Sequence, residues 1–129
     1  MQHAVTELRL RTADRMLDVT FADGAVFHLP AEYLRVESPS AEVQGHGPGQ
    51  KTIVAGRRHV NIMRLEPVGH YAVRIVFDDL HDSGIFPWAT LRRLGEEQAG
   101  IWAAYEAALA ERGLSRDPPP RRGRQSATP

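Results

Sequence analysis

VTFADGAVFHLPAEYLR (residues 19–35) has a pattern that predicts two strands, the turn between them and the start of a helix. Apolar residues alternate with others up to Phe21, as in a strand with one buried face. Gly24 predicts a tight hairpin turn, since glycine tolerates the positive φ that such turns require. Pro30 suits an early helical position, so a short helix is expected over Ala31–Val36.

The residues before this stretch extend the same pattern. MLDVTF (residues 16–21) places Leu17, Val19 and Phe21 on one face, which predicts a half-buried strand. LRLR (residues 8–11) alternates apolar and basic residues and predicts a strand with an exposed face. The first half of the chain is therefore expected to form strands followed by a helix.

The second half repeats this plan in IVFDDLHDSGIFPWATLRR, with strands predicted over residues 61–68 and 71–77. The residues that match between the two halves are Phe21 and Phe77, Asp23 and Asp79, Pro30 and Pro87, Leu34 and Leu91, and Arg35 and Arg92. The second copy has the longer turn. Two copies of one unit are predicted, and chance similarity of two hairpins is the alternative that the sequence leaves open.

A longer helix is predicted from Glu96 to Arg112, where apolar residues recur at helical spacing and Gly113 is placed to end the helix. The apolar residues are Leu94, Ile101, Trp102, Tyr105, Ala108 and Leu109. We therefore expect an α+β fold. It has a small sheet built from two similar strand–hairpin–helix units, with the longer C-terminal helix packed on the sheet.

Length and composition predict one domain, over residues 1–114, since 129 residues with 42% hydrophobic content support a single core. The remaining residues, 115–129, hold three successive prolines, several arginines and no apolar periodicity. Such a segment buries too little to offset its ordering entropy, so a disordered tail is expected.

The balance of charges predicts neither nucleic acid nor membrane as a partner, because sixteen basic and sixteen acidic residues cancel. No signal peptide is recognised at the N-terminus, and no apolar run approaches the ~20 residues that span a bilayer. A cytoplasmic location is expected. The lack of cysteine excludes disulfides, thiol nucleophiles and thiolate metal sites.

The glycine-rich segment SPSAEVQGHGPGQ (residues 38–50) fails as a phosphate-binding loop. Lys51-Thr52 stands one residue out of register with the final glycine, and Pro48 removes one backbone amide. No strand before it or helix after it supports a dinucleotide site. A connection this long predicts either a functional surface loop or a mobile connector.

The cluster Asp78-Asp79-Leu80-His81-Asp82 is the densest group of candidate ligands. Carboxylates and imidazole together can bind a divalent metal or carry out acid–base chemistry. Acids are also favoured in an exposed turn, where they bond the local backbone, so this alternative stays open. No histidine is followed two positions later by an acid, and no nucleophile elbow or HExxH motif occurs. An independent enzyme is therefore not predicted.

Two motifs carry a family resemblance: LPAEYLRV-SPSAEV-GHGPGQ in the first half and FDD-HDSGI in the second. Over about residues 8–112 the chain resembles the DUF971 family, the module similar to the N-terminal domain of γ-butyrobetaine hydroxylase. Related modules precede the catalytic domains of dioxygenases and follow some P-loop ATPases of the iron–sulfur carrier type. The resemblance implies an α+β domain that is not itself catalytic.

In the dioxygenases the resemblance also implies a structural zinc, held by a Cys-x-Cys-x-x-Cys loop and a later histidine. That loop follows a Trp-Leu-Arg, which corresponds to residues 33–35 here. The three cysteines then fall on Ser38, Ser40 and Val43, and the histidine falls on His81. Serine hydroxyls stay protonated near neutral pH and valine has no donor atom, so a complete zinc site is not expected. We expect Ser38 and Ser40 to hydrogen-bond His81 or Asp79 instead.

The expected function is that of a non-catalytic accessory or interaction module. Its partner is an unknown protein, of iron–sulfur assembly or dioxygenase type, and its oligomeric state is left open. The expected binding surface comprises Ser38, Ser40, His46, Asp79, His81 and Asp82. The alternative is a metal-binding domain that uses His81 with His46 and Asp79 or Asp82. No cofactor is expected, and the resemblance leaves zinc or iron open.

Overall fold

The structure, a computed structural model, describes residues 4–45 and 49–119. These residues form an α+β fold with two three-stranded antiparallel sheets, which confirms the predicted class. The strands are β1 (Val5–Arg11), β2 (Met16–Phe21), β3 (Val26–Pro30), β4 (Ile62–Val68), β5 (Ala72–Phe77) and β6 (Gly84–Pro87). The helices are α1 (Ala31–Val36), α2 (Ala41–Gln44), α3 (Trp88–Glu96) and α4 (Gln98–Glu111).

The two halves of the chain build the same unit. Each sheet runs in sequence order, β1-β2-β3 and β4-β5-β6, with the middle strand hydrogen-bonded on both sides. Even the irregularities match, because β1 shifts register just after Val5, opposite Phe21, and β4 shifts just after Ile62, opposite Phe77. The single small sheet expected from the sequence is thus two sheets, one for each unit.

The core is shared by both sheets and includes the buried faces of the two middle strands. Leu17, Val19 and Phe21 of β2 are buried in alternation with half-exposed residues. In β5, Ile75 and Phe77 are buried in the same cluster. Each large apolar side chain removed from water contributes about 2 kcal/mol to stability.

Two ion pairs cross between the units. Arg35 of α1 donates from Nε to Asp79 Oδ2 at 2.8 Å, in the turn of the second unit. Arg92 of α3 reaches back to Asp23 in the turn of the first unit, with contacts of 3.0 and 2.9 Å. Each helix therefore supplies an arginine to the turn of the other unit.

The C-terminal helix α4 packs on the main core through Ile101 and Trp102, and on Val36 of α1 and residues 53–55 through Tyr105 and Leu109. Tyr105 buries its ring there and donates its hydroxyl to the Val54 carbonyl at 2.6 Å. Trp102 meets Tyr33 edge to face, with ring centroids 6.1 Å apart. The predicted helix begins at Gln98 rather than Glu96, because a separate helix, α3, ends just before it. No helix in the described part of the chain has the length and apolar character needed to cross a bilayer.

The start of the predicted tail forms a C-terminal strap (residues 115–119) that lies on the domain. The amides of Gly56 and Arg58 donate to the carbonyls of Ser115 and Arg116, both at 2.9 Å. Backbone pairing and two ion pairs, Arg116 with Glu32 and Asp117 with Arg58, hold the strap, rather than apolar burial. Residues 120–129 lie outside the described residues, so their predicted disorder stays a prediction.

Candidate functional site

The turn over residues 78–83 projects from the end of β5. The amide of Leu80 donates to the Phe77 carbonyl at 3.1 Å, and the amide of Phe77 donates to the His81 carbonyl at 3.0 Å. This closure forces Leu80 to a φ of 72°, a left-handed conformation that is uncommon for a bulky residue. The Leu80 side chain is 83% exposed at the tip of the turn.

The segment after α1 turns inward before the short helix α2 begins. The amide of Ser40 donates to Ser38 Oγ at 3.3 Å, and Gln44 donates to the Ser38 carbonyl at 2.9 Å. Both serines are buried, Ser38 completely. The predicted glycine-rich loop therefore begins with an ordered turn and one helix, and only residues 46–48 of it lie outside the described part.

A serine–histidine junction, formed by Ser38, Ser40 and His81, joins this segment to the turn. His81 Nε2 lies 3.1 Å from Ser38 Oγ and 3.3 Å from Ser40 Oγ. The contact expected between these residues is confirmed. A second bridge runs beside it, since Ser83 donates its hydroxyl to Glu42 Oε1 at 2.9 Å. The two segments are thus connected at two points.

The environment of His81 favours its neutral form. Burial is the largest cause that lowers its pKa, and the charge of Arg35 adds to this effect, while Glu42, Asp79 and Asp82 oppose it. A neutral ring carries one proton, so Nε2 accepts from a serine hydroxyl when the proton resides on Nδ1. Nδ1 has no hydrogen-bond partner among the described residues, although Glu42 Oε1 lies 3.5 Å away. A proton on Nδ1 would face that carboxylate.

Asp79 anchors the base of the turn. Burial alone would raise its pKa, but hydrogen bonds from Arg35, the His81 amide and Arg57 outweigh it, so the pKa is lowered and the carboxylate stays ionised. Arg35 and Arg57 both donate from Nε to Asp79 Oδ2, at 2.8 and 2.7 Å. These hydrogen bonds give Asp79 a structural role, because they hold the turn below its exposed tip.

The residues predicted as a binding surface divide into internal and external groups. Ser38, Ser40 and His81 are buried, whereas Asp82 faces solvent and Asp79 is partly exposed. His46 lies outside the described residues. The solvent-facing part of the predicted surface is therefore carried by Asp82 and by neighbours that the sequence did not single out, chiefly Leu80, Ser83 and Glu42.

A zinc ion does not fit the residues at the junction. The positions that the resemblance assigns to thiolates hold two hydroxyls and the buried side chain of Val43, so only His81 offers a zinc donor. Within residues 4–45 and 49–119, no three His, Cys, Asp or Glu side chains form a group that could hold a metal. Hydrogen bonds connect the loop to the turn where the resemblance implies metal ligands.

The atoms of Ser38, His81 and Glu42 follow the order of a nucleophile, a base and an orienting acid. Two features speak against a nucleophilic role. Ser38 is completely buried, and the Glu42 carboxylate lies 3.5 Å from Nδ1, beyond a good hydrogen bond. The arrangement is suited to holding two segments together rather than to attacking a substrate.

Sequence reasoning missed Arg35, Arg57 and Glu42 as partners of this site. Arg35 was recognisable in part, because it matches Arg92 when the two halves are aligned, and both arginines pair with aspartates. Arg57 and Glu42 had no such signal, since they lie in segments without a counterpart in the other half.

The fold and the site define a small α+β module with a hydrogen-bonded loop-to-turn connection. The chain belongs to the family of γ-butyrobetaine hydroxylase-like N-terminal domains, whose model matches residues 8–92. No match occurs among curated proteins.

Solved structures agree with this assignment. One solution NMR structure is 40% identical, covers 94% of this chain and 95% of its own, and has a TM-score of 0.80. A second solution structure is 44% identical over 90% of this chain and 86% of its own, with a TM-score of 0.78. A crystal structure of a DUF971 family protein of unknown function from Acidithiobacillus ferrooxidans is 41% identical. It covers 71% of this chain and 92% of its own, with a TM-score of 0.61.

Proposed function

We propose that the chain acts as a non-catalytic interaction module in the cytoplasm, through the tip of the 78–83 turn. The observation that carries the proposal is Leu80, an 83% exposed leucine in a left-handed conformation. Exposed apolar side chains held on a rigid support favour protein contacts, because little ordering entropy is lost on binding.

The residues on both sides of Leu80 are held by side-chain contacts. Asp79 on one side is bonded to two arginines, and His81 on the other side meets two buried serines. Strained backbone persists only where its surroundings hold it in place, and it clusters at functional positions. We infer that the junction and the ion pairs fix the tip in a binding-ready conformation.

The charges around the tip indicate the character of the partner. Asp82 and Glu42 face solvent near the turn, so the surface is acidic around one leucine. A complementary partner has an apolar pocket with a basic rim. By family resemblance we propose that this partner is an iron–sulfur assembly or dioxygenase-type protein.

A charge substitution at the tip tests this function. Leu80→Asp should remove the captured partner in quantitative co-purification from the native host, because it puts a charge into the apolar contact. Met63→Asp is the matched control, since Met63 is also an exposed apolar residue, at 52%, but lies on β4. Capture that survives Leu80→Asp at the level of the control would contradict the proposal.

Metal binding through His81, His46 and Asp79 or Asp82 remains the second proposal. One observation favours it, because His81 Nδ1 is buried without a hydrogen-bond partner among the described residues. Against it, a site that used Asp79 would compete with the two arginines that already donate to Asp79 Oδ2. Zinc and iron titration followed by histidine NMR tests it: broadening or shifts confined to His81 and His46 would support this function, and unchanged histidine spectra would contradict it.

A further inference from the structure

A cleft of about 230 Å³ lies between α1, α4 and the C-terminal strap. It is separate from the serine–histidine junction, since α1 enters it through Glu32 and Tyr33 at its first turn. The residues that line it are Pro30, Glu32, Tyr33, Gln98, Trp102 and Arg116. One carboxylate and two aromatic rings therefore meet in one cleft.

Glu32 is the unusual member of this set, because its side chain is only 7% exposed. A buried carboxylate requires a partner that compensates its charge. Its partner is Arg116, which donates from Nε to Oε2 at 2.9 Å and from Nη2 to Oε1 at 2.7 Å. This is the two-point geometry in which a planar guanidinium matches a carboxylate.

Trp102 completes the site from the other side. The Arg116 guanidinium carbon lies 5.1 Å from the centroid of the Trp102 ring, within the range of a cation–π contact. Tyr33 packs edge to face against the same ring and holds it in place. A guanidinium can pair with the carboxylate and cover the ring at once, whereas a compact ammonium makes no planar two-point contact.

The group that fills the cleft comes from the strap rather than from its walls. Arg116 lies beyond α4, and backbone bonds to Gly56 and Arg58 position the strap. The Arg116 side chain keeps 28% of its surface exposed, so the cleft opens to solvent along the path of its ligand. In this arrangement Arg116 occupies the cleft as an intramolecular ligand.

We propose that Glu32 and Trp102 form a guanidinium-binding site, which the chain fills with its own Arg116 and which accepts the arginine side chain of a partner protein when Arg116 is displaced. The Glu32 carboxylate, which accepts two hydrogen bonds from one planar group, and the Trp102 ring favour a guanidinium as the ligand. The site is independent of the tip at Leu80, so either proposal can fail without the other.

Chemical rescue of the full chain tests the site. Arg116→Ala should lower the midpoint of thermal unfolding, and millimolar methylguanidinium should raise it again in a saturable manner. Methylammonium at equal ionic strength should have no such effect. The Trp102 indole resonance should shift with methylguanidinium over the same concentration range. Wild-type protein should respond to neither cation, because its site is filled.

Two controls bracket this result. Arg58→Ala removes an arginine that pairs with Asp117 of the same strap but covers no ring in the described structure, so methylguanidinium should not restore its midpoint. Adding Glu32→Gln to Arg116→Ala should abolish the rescue, since the carboxylate is lost.

Three outcomes would contradict the proposed guanidinium site. They are equal rescue by methylammonium, no response to methylguanidinium, and unchanged rescue after Glu32→Gln. If Arg116→Ala is unfolded on its own, methylguanidinium must restore the fold, and failure to do so counts against the site.

Discussion

The two units share three strands, a register shift and a helix after the third strand, but their hairpin turns differ. In the first unit Asp23-Gly24 closes the hairpin directly, with Gly24 at a φ of 92°. In the second unit a longer turn presents Leu80 and places His81 beneath it. Because the first unit forms the same fold without these residues, the longer turn is not needed for the strand arrangement. What it adds is the serine–histidine junction and the exposed leucine.

Arg35 and Arg92, which pair with the turn of the opposite unit, should give the largest expected difference in stability between the units. Arg35→Ala should lower the free energy of unfolding by roughly 3 kcal/mol, because it breaks a pair in which the arginine is buried. Arg92→Ala should cost less, since its partner Asp23 is 38% exposed. Urea unfolding of both variants measures the difference, and equal losses would show that the two pairs are equivalent.

The junction gives the next largest effect. His81→Ala should cost roughly 2 kcal/mol, because it leaves a cavity and removes the partner of two buried hydroxyls. His59→Ala is the matched control, since His59 is exposed, and its effect should stay within about 0.5 kcal/mol. Equal denaturant midpoints for His81→Ala and His59→Ala would show that the junction does not stabilise the fold.

Gly84 tests the packing of the junction from the side of β6. A Cβ at this position would lie 2.6 Å from Ser38 Oγ, so Gly84→Ala should displace Ser38 and cost about 1.5 kcal/mol. Gly100→Ala in α4 is the control, because a Cβ there meets nothing within 4 Å and alanine favours helix. The His81 ring resonances should shift in the first variant alone. Their constancy in Gly84→Ala would contradict the packing described here.

Acid should lower the stability that the serine–histidine junction contributes. Burial lowers the pKa of His81 from its ordinary value of 6.5, so the unfolded chain binds this proton more readily than the folded one. The stability contribution is complete above pH 6.5 and is lost as the pH falls below it. Asp18 and Asp79 have pKa values lowered from their ordinary 3.8. Their protonation therefore changes stability only below about pH 4, outside the pH range in which His81 titrates. The dependence of the free energy of unfolding on pH, measured by urea unfolding below pH 6.5, should be weaker in His81→Gln. An unchanged dependence would show that other groups cause it.

The smallest effect is expected at the tip itself. Leu80→Gly should raise the free energy of unfolding by about 0.5 kcal/mol, because glycine relieves the left-handed strain but also gains entropy in the unfolded chain. A gain in stability together with lost partner capture would indicate that the leucine is retained for binding. A clear loss of stability would instead show that Leu80 supports the turn.

The repeated unit was accessible from the sequence because strand alternation, the turn glycine and the two prolines are local patterns. The number of sheets was not, since periodicity shows which residues face a core but not which strands pair at a distance. The Ser38–His81 contact was predicted only through family resemblance, as no local pattern links residues 43 positions apart. The contacts of the strap have no local sequence signal, because Arg116 meets Glu32, which lies far away in sequence.

Elemental analysis of the full chain, purified without chelators, measures whether a metal is part of the serine–histidine junction. We infer that hydrogen bonds between His81 and two serines, without a metal, connect the loop to the turn. We therefore expect no stoichiometric zinc or iron and an unfolding midpoint that chelator leaves unchanged. A stoichiometric metal that is lost in His81→Ala would contradict this inference.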